Sequence, residues 1–592
     1  MTSTQQELLD GEPLDLLIIG AGIYGIQAAR TYLTINPSHS IVVLEADETP
    51  GGVWSKKRIY PQFYTQSPLE IWEYSDKPLV LNDEDAKVTY HEHFPARAFA
   101  QYLEDYIDEH HFNGSPLRDR FVCNSRVEKL RQDGDLWRAI TYAGQSYKAR
   151  KVIDATGLTS SPNMPKLPGS SSFSGLQIHS KDFGAHSATI LTPQSRVAII
   201  GGGKSAGDVA YACAKAGVGN IHWIIRKSGN GPAGYIPADV PIKKYGNANA
   251  AFHTSFVSTI LASIFTPETW WTWFLYHTIL GRAMHKLIWK GLHFDAYSRA
   301  KYDRHNDTGF KNLKPDGHMG MFWQIASSGV NQRADFFDTI AEKVNVYRQD
   351  IERVESTGLV LADGEEVEVD VIIYATGWTR TPPYFDAKTA YDLGLPSTSS
   401  NEDTEARWRG LEKESDEKIV QRFPILATSP IPSQSSSSSS PTTADTPHTT
   451  PFRLYKSIFP IPSSSSNPKT PIIAFLSRTN LANHTYVSEI AALYAISILS
   501  GRATLPSSTV MQQDVSDTNA WMRRRYPTRG SSGSEMFFDA VGYSDGLLRE
   551  LGMEYVIEER GLMGPMSAKG VRGMLGVYLE RMGKGGEGKK VV

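Results

Sequence analysis

The sequence predicts an α/β fold containing two strand–turn–helix–strand units of the same kind, and three observations lead there. The apolar run Leu16 to Ile19 enters the glycine turn Gly20-Ala21-Gly22-Ile23-Tyr24-Gly25. A second run, Val197 to Ile200, enters Gly201-Gly202-Gly203-Lys204-Ser205-Ala206 far downstream. Two further segments, Lys151 to Gly157 (KVIDATG) and Val369 to Gly377 (VDVIIYATG), each read as a strand closing in the same Ala-Thr-Gly. Short continuous apolar runs bounded by glycine suit strands buried on both faces of a parallel sheet.

Taken in order, Ile23 to Leu33 reads as a helix and Ile41 to Leu44 as the second strand of the first unit. In the second unit a helix runs through Ala214 and Ile221 to Ile225 is the next strand. From Ser429 to Thr470 the composition turns to Ser, Pro and Thr, with six serines from Ser435 to Ser440. Such stretches cannot bury enough apolar surface to order themselves, so loops near 429–450 and 462–470 are expected to be disordered. Between them Phe452 to Pro460 (FRLYKSIFP) reads as a packed segment. Ile472 to Leu476 is expected as a strand and Ser488 to Leu499 as an apolar helix.

Composition narrows the function. The 592 residues include 61 basic and 64 acidic ones, giving a net charge of −3, so no basic surplus points to nucleic acid. Hydrophobic residues make up 40% and charged ones 21%, ordinary globular usage. The only cysteines are Cys123 and Cys213, which gives no CxxC pair, no zinc-ligand cluster and no disulfide framework. No metal site is expected. The polar, acidic start MTSTQQELLDGEPLD lacks a secretory pattern, so an intracellular protein, cytoplasmic or peripherally membrane-associated, is expected.

The glycine turns carry the chemistry. In GxGxxG the first glycine (Gly20) permits the tight turn, the second (Gly22) lets a pyrophosphate approach the backbone, and the third (Gly25) lets helix and strand pack closely. Glu45, at the end of the next strand, can accept from ribose hydroxyls. The second turn supplies Gly201, Gly203, Ser205 and Ala206, and its following strand ends in Arg226-Lys227 instead of an acid. A basic residue there suits the adenosine 2′-phosphate of NADPH; the alternative is an ordinary surface arginine. An acid-tipped and a base-tipped site together suggest FAD in the first and NADPH in the second. The fold expected is therefore two Rossmann-like dinucleotide-binding domains, the NADPH domain inserted into the FAD domain, with a helical aromatic-rich insertion. The boundaries read as 1–165 for the first part of the FAD domain and 166–378 for the NADPH domain, with the helical insertion at 240–330. The FAD-domain remainder and C-terminal region take 379–592.

Between the turns, Phe173 to Phe183 reads FxGxxxHxxxF. With both glycine turns, Gly51-Gly52-Val53-Trp54, Glu73-Tyr74-Ser75-Asp76, PNMPKLPG at 162–169 and Tyr374-Ala375-Thr376-Gly377-Trp378, it resembles the flavin-containing monooxygenase family. The chain is also similar to the Baeyer–Villiger monooxygenases, whose related motif ends in Trp; Phe183 tilts the match toward heteroatom oxygenation. The resemblance implies that NADPH reduces FAD and that a flavin hydroperoxide inserts one oxygen atom from dioxygen into a lipophilic small molecule by N- or S-oxygenation or hydroxylation. It completes the cofactor-binding set with Gly52, Trp54, Thr65, Val127, Thr156, Gly157, Thr376 and Gly377.

Two residues are candidates for the chemistry itself. Gln66 stands where many relatives carry Asn, and either substitutes as an amide donor or marks a different flavin environment. His179 is either a proton donor or a tie between domains. Baeyer–Villiger oxidation of a ketone is the alternative within enzymes, and a non-catalytic nucleotide-binding regulator the alternative outside them. Phe252 to Phe294, with Trp270, Trp271, Trp273 and Trp289 beside Arg282, Lys286 and Lys290, is too broken to span a bilayer. It packs over the substrate pocket, against a second subunit, or onto a membrane surface.

Overall fold

The computed structural model describes residues 12–238, 248–304, 307–315, 320–323, 328–428, 430, 449–462 and 472–584. Most of the two serine-rich loops expected near 429–450 and 462–470 lies outside the described residues, as does part of the 240–330 insertion.

The fold is mixed α/β with two five-stranded parallel sheets. In the first, β1 (Leu16–Ile19) is followed by helix α1 (Ile23–Ile35), β2 (Ile41–Leu44), β3 (Phe121–Val122) and β4 (Val152–Asp154). Its spatial order is β3-β2-β1-β4 and then Ile473–Phe475, every neighbour parallel. Strands β1 and β2 are buried at all four positions, as expected for apolar runs covered on both faces. Helix His484–Leu499 packs along α1 and is itself buried over almost its whole length.

The second sheet repeats this plan. It contains β5 (Leu176–His179), β6 (Arg196–Ile200), β7 (Asn220–Ile225), β8 (Asn345–Arg348) and β9 (Val371–Tyr374), with α2 (Lys204–Ala216) between β6 and β7. In the order β8-β7-β6-β9-β5 the first four strands follow the arrangement of the first sheet, whereas the edge strand β5 precedes the others in the chain instead of following them. In both halves a three-stranded antiparallel meander precedes the fourth strand: Val127–Asp133, Leu136–Thr141 and Ser146–Ala149 before β4, and Ile351–Glu355, Gly358–Leu361 and Glu366–Glu368 before β9.

All strands of the second sheet lie in the chain between β4 and Ile473–Phe475 of the first. The two crossings between sheets pair as a short antiparallel ladder, Ser161–Pro162 against Trp378–Thr379. That ladder sets the two glycine turns on neighbouring walls of one cleft system.

The segment 452–460 folds back as the hairpin Leu454–Tyr455 and Phe459–Pro460, with Phe452, Leu454, Tyr455, Ile458 and Phe459 buried. The aromatic insertion forms helices Trp270–His277 and Ile279–Ala300. Among the described residues no helix is long and apolar enough to cross a membrane.

Candidate active site

The first glycine turn borders a cavity of about 410 Å³. Gly20 adopts φ +99°, and a Cβ there would lie 2.9 Å from the carbonyl oxygen of Ala155, so neither its conformation nor the close approach of β4 tolerates a side chain. A Cβ on Gly25 would sit 1.9 Å from the Gly20 oxygen. Gly22 differs: its Cβ would meet nothing nearer than the Gly52 Cα at 3.8 Å, so the protein leaves room there. Glu45 closes the other side. Its carboxylate accepts from the Ala21 amide at 2.7 Å and the Asp47 amide at 2.9 Å, and burial raises its pKa against those two bonds.

Under this turn a buried polar frame fixes the Ala-Thr-Gly segment. Asp154 accepts from the Thr156 amide and hydroxyl, from the Tyr384 hydroxyl at 2.6 Å and from the Arg478 guanidinium at 2.6 Å. Arg478 also donates to the Gly157 carbonyl at 2.7 Å and the Thr156 hydroxyl at 2.8 Å. Thr156, Gly157 and Tyr384 line the cavity.

The second glycine turn borders a larger cavity of about 690 Å³. Gly201 takes φ +139°, with the Ala375 oxygen 2.3 Å from where a Cβ would be, whereas a Cβ on Gly203 would meet nothing within 4 Å. The middle glycine of each motif thus faces open space. Arg226 stands on the cavity wall, exposed, with no hydrogen-bonding side-chain partner found among the described residues. Lys204 pairs with Asp208 and lies 4.9 Å above the Phe63 ring. The far walls are largely apolar: Ile236, Phe252, Met321, Val330, Phe537 and Phe538.

The two cavities share Val53, Trp54, Thr159 and His484. Trp54 stacks on Phe63 at 5.2 Å and meets Trp72 edge-on at 4.8 Å, which makes the shared wall a rigid aromatic layer. His484 opens helix His484–Leu499 there; its Nδ1 lies 3.3 Å from the Tyr24 hydroxyl, and burial holds its pKa down at about 4, so the ring is neutral.

Of the residues singled out in the sequence, Gly20, Gly22, Glu45, Gly52, Trp54, Val127, Thr156 and Gly157 border the first cavity. Gln66, Gly201, Gly203, Ser205, Arg226, Thr376 and Gly377 border the second. Five others stand off the cavity surfaces. Gly25 packs beneath the first turn and Ala206 beneath the second. Thr65 is buried: its amide donates to the Phe94 carbonyl and its hydroxyl accepts from the Phe94 amide. Lys227 points to solvent.

His179 is the fifth. Its Nδ1 accepts from the Lys181 amide at 3.1 Å, which places the proton on Nε2, and Nε2 donates to the Gly377 carbonyl at 3.0 Å. Both nitrogens are occupied by backbone on either side of the two crossings, and burial lowers the pKa. Gln66 donates to the Asn331 carbonyl at 2.9 Å, and the Asn331 side chain donates back to the Gln66 carbonyl at 3.3 Å. That exchange ties the first half of the chain to Ser328–Gln332, a contact no local motif announces.

Cys123 and Cys213 are both free, and burial pushes their thiols up to about 11 and about 12. Neither lines either of the two cavities.

Two Rossmann-like parallel sheets with adjoining glycine-turn clefts define a two-dinucleotide oxidoreductase fold. Residues 17–237 match the family model described as pyridine nucleotide-disulphide oxidoreductase. The chain is 31% identical over 561 residues to an FAD-dependent monooxygenase of Pyrenophora dematioidea, covering 91% of this chain and 98% of that one. It is equally 31% identical over 599 residues to the FAD-dependent monooxygenase rstn6 of Aspergillus nomiae, covering 94% and 97%. The cyclohexanone monooxygenase from Rhodococcus sp. Phi1 bound to NADP+ shares the fold, with a TM-score of 0.54, 15% identity and coverage of 92% and 98%. The chain belongs to the FAD-dependent monooxygenases.

Proposed function

We propose that this enzyme uses NADPH and FAD to insert one oxygen atom from dioxygen into a lipophilic small molecule. The observation that carries the reading is the shared wall at Val53, Trp54, Thr159 and His484, across which the two glycine-turn cavities adjoin. The residues fit both groups. Gly22 and Gly203 leave room for a pyrophosphate against each helix start, Glu45 suits a ribose, and Arg226 suits a 2′-phosphate. When bound, NADPH supplies two electrons and the flavin passes them to dioxygen.

The chain's own residues bind, orient and exclude water. The Asp154–Arg478 frame fixes Thr156 and Gly157 on the FAD side, and His179 holds the crossings so that Thr376 and Gly377 face the NADPH side. His179 is thereby a positioning residue. The Trp54, Phe63 and Trp72 layer keeps the meeting point dry, which protects the oxygen-transferring state from wasteful decay. The apolar walls around Phe252, Met321 and Phe538 suit a lipophilic substrate.

The end of the FxGxxxHxxxF motif in Phe183, which is buried and meets Tyr60 edge-on at 4.8 Å, favours oxygenation at nitrogen or sulfur over Baeyer–Villiger insertion. Product analysis with one thioether and one ketone tests both levels. Sulfoxide formed with consumption of NADPH and dioxygen supports the reading, lactone or ester alone moves it to the Baeyer–Villiger branch, and NADPH oxidation without any oxygenated product removes it.

A further inference from the structure

Helices Trp270–His277 and Ile279–Ala300 are apolar on two sides. The inward side is accounted for: His285 and Trp289 both donate to the Ile260 carbonyl, at 2.9 and 3.0 Å, and Trp271 donates to the Thr259 hydroxyl at 2.9 Å. The outward side is not. Trp270 is 73% exposed, Ile279 83%, Leu287 70% and Phe294 73%, with Trp273 and Leu280 also open to solvent. On the longer helix Ile279, Ala283, Leu287 and Phe294 recur at helical spacing, so one continuous stripe faces outward. Side chains of this size are rarely left together on a free surface.

Charge says what covers the stripe. From Trp270 to Phe294 there is no Asp or Glu, while Lys286 and Lys290 are exposed on the same face and Arg282 is half-buried beside them. This occurs in a chain whose net charge is −3. The nearest acids are engaged: Glu268 with Arg422 at 3.3 Å and Asp295 with Arg299 at 3.3 Å. A second copy related by a two-fold axis would bring the same patch against itself, cation facing cation with no carboxylate to intervene. An anionic lipid surface meets both demands, burying the tryptophans at headgroup depth and neutralising the lysines.

We propose that this stripe docks the enzyme on anionic bilayer surfaces, with helix Ile279–Ala300 lying in the interface plane. Phe252 lines the larger cavity and its ring lies 6.1 Å from that of Trp289, on the inward side of the same helix. Docking therefore leaves one helix, Ile279–Ala300, between the wall of the substrate cavity and the lipid in which a lipophilic substrate would be dissolved. The surface stands on its own geometry, and its failure leaves the NADPH reaction untouched.

The test is flotation of the full-length holoenzyme with vesicles of phosphatidylcholine alone and of phosphatidylcholine with phosphatidylserine. Binding to the anionic vesicles and little to the neutral ones is expected. K286E/K290E lowers partitioning at least about tenfold, and Trp270→Ala with Leu287→Ser abolishes it, both with unchanged melting temperature and flavin content. Absence of binding to either vesicle, or binding indifferent to both double variants, overturns the proposal. So does a dimer by light scattering that Trp270→Ala with Leu287→Ser converts to monomer, since a second copy would then be the occupant.

Discussion

Arg478 and Asp154 form an ion pair at 2.6 Å in which both side chains are shut off from solvent. It joins the turn after Ile473–Phe475 to the end of β4, directly under the first glycine turn. The guanidinium is a fork with three different acceptors, Asp154, Thr156 and Gly157, a geometry an ammonium cannot reproduce. The C-terminal part of the chain therefore braces the floor of the first cavity.

Removing one partner leaves a buried charge uncompensated. Arg478→Ala is expected to cost about 3–5 kcal/mol of stability and to lower retained flavin, with Arg478→Lys intermediate. Thermal melting and the flavin-to-protein absorbance ratio measure both, and wild-type values for Arg478→Ala would refute the bracing role.

The glycines separate folding from binding. Gly25→Ala drives a Cβ into the Gly20 oxygen and is expected to yield little folded protein, whereas Gly203→Ala meets no protein atom within 4 Å. Gly203→Ala should therefore melt like the parent while losing NADPH affinity, as a titration would show. Equal damage to folding from both would contradict the open-space argument.

Arg226 is expected to select the phosphorylated nucleotide. Losing a charge-assisted bond is worth about tenfold to a hundredfold in affinity. Arg226→Ala should raise KM for NADPH by that factor and leave KM for NADH nearly unchanged. An equal rise for both removes the assignment.

His285 makes a pH prediction. Burial holds its pKa down at about 4 against an ordinary value of 6.5, so between those values the unfolded chain binds a proton that the folded chain does not. Its contribution is present above about 6.5 and is lost as pH falls toward 4, at up to ~1.4 kcal/mol per pH unit. His285→Gln, which keeps a donor for the Ile260 carbonyl, should lose less stability than the parent between neutral pH and the acid end of that window. Denaturant melts across the window measure it, and parallel curves would refute it.

Much of the architecture was legible because parallel strands buried on both faces must be continuous apolar runs. Leu16–Ile19 and Ile41–Leu44 occur where the sequence puts them, and the two Ala-Thr-Gly endings mark β4 and β9. What stayed hidden depends on distant chain segments. Nothing near Asp154 announces Arg478 as its partner, although a buried carboxylate in an apolar strand demands a cation somewhere. Helix His484–Leu499 begins four residues earlier than its apolar run suggests, because its first two residues, His484 and Thr485, are polar, although Thr485 is buried. The aromatic insertion resists periodicity for a different reason: with Trp289 inward and Leu287 and Phe294 outward, no polar face marks which side is the core.

The account depends most on two nucleotides meeting across the wall of Val53, Trp54, Thr159 and His484. Anaerobic rapid mixing of the yellow holoenzyme with NADPH tests this directly. Bleaching of the flavin absorbance within the turnover time, followed by oxygen-dependent recovery, is the predicted result. A stably bound flavin that NADPH never bleaches would contradict it.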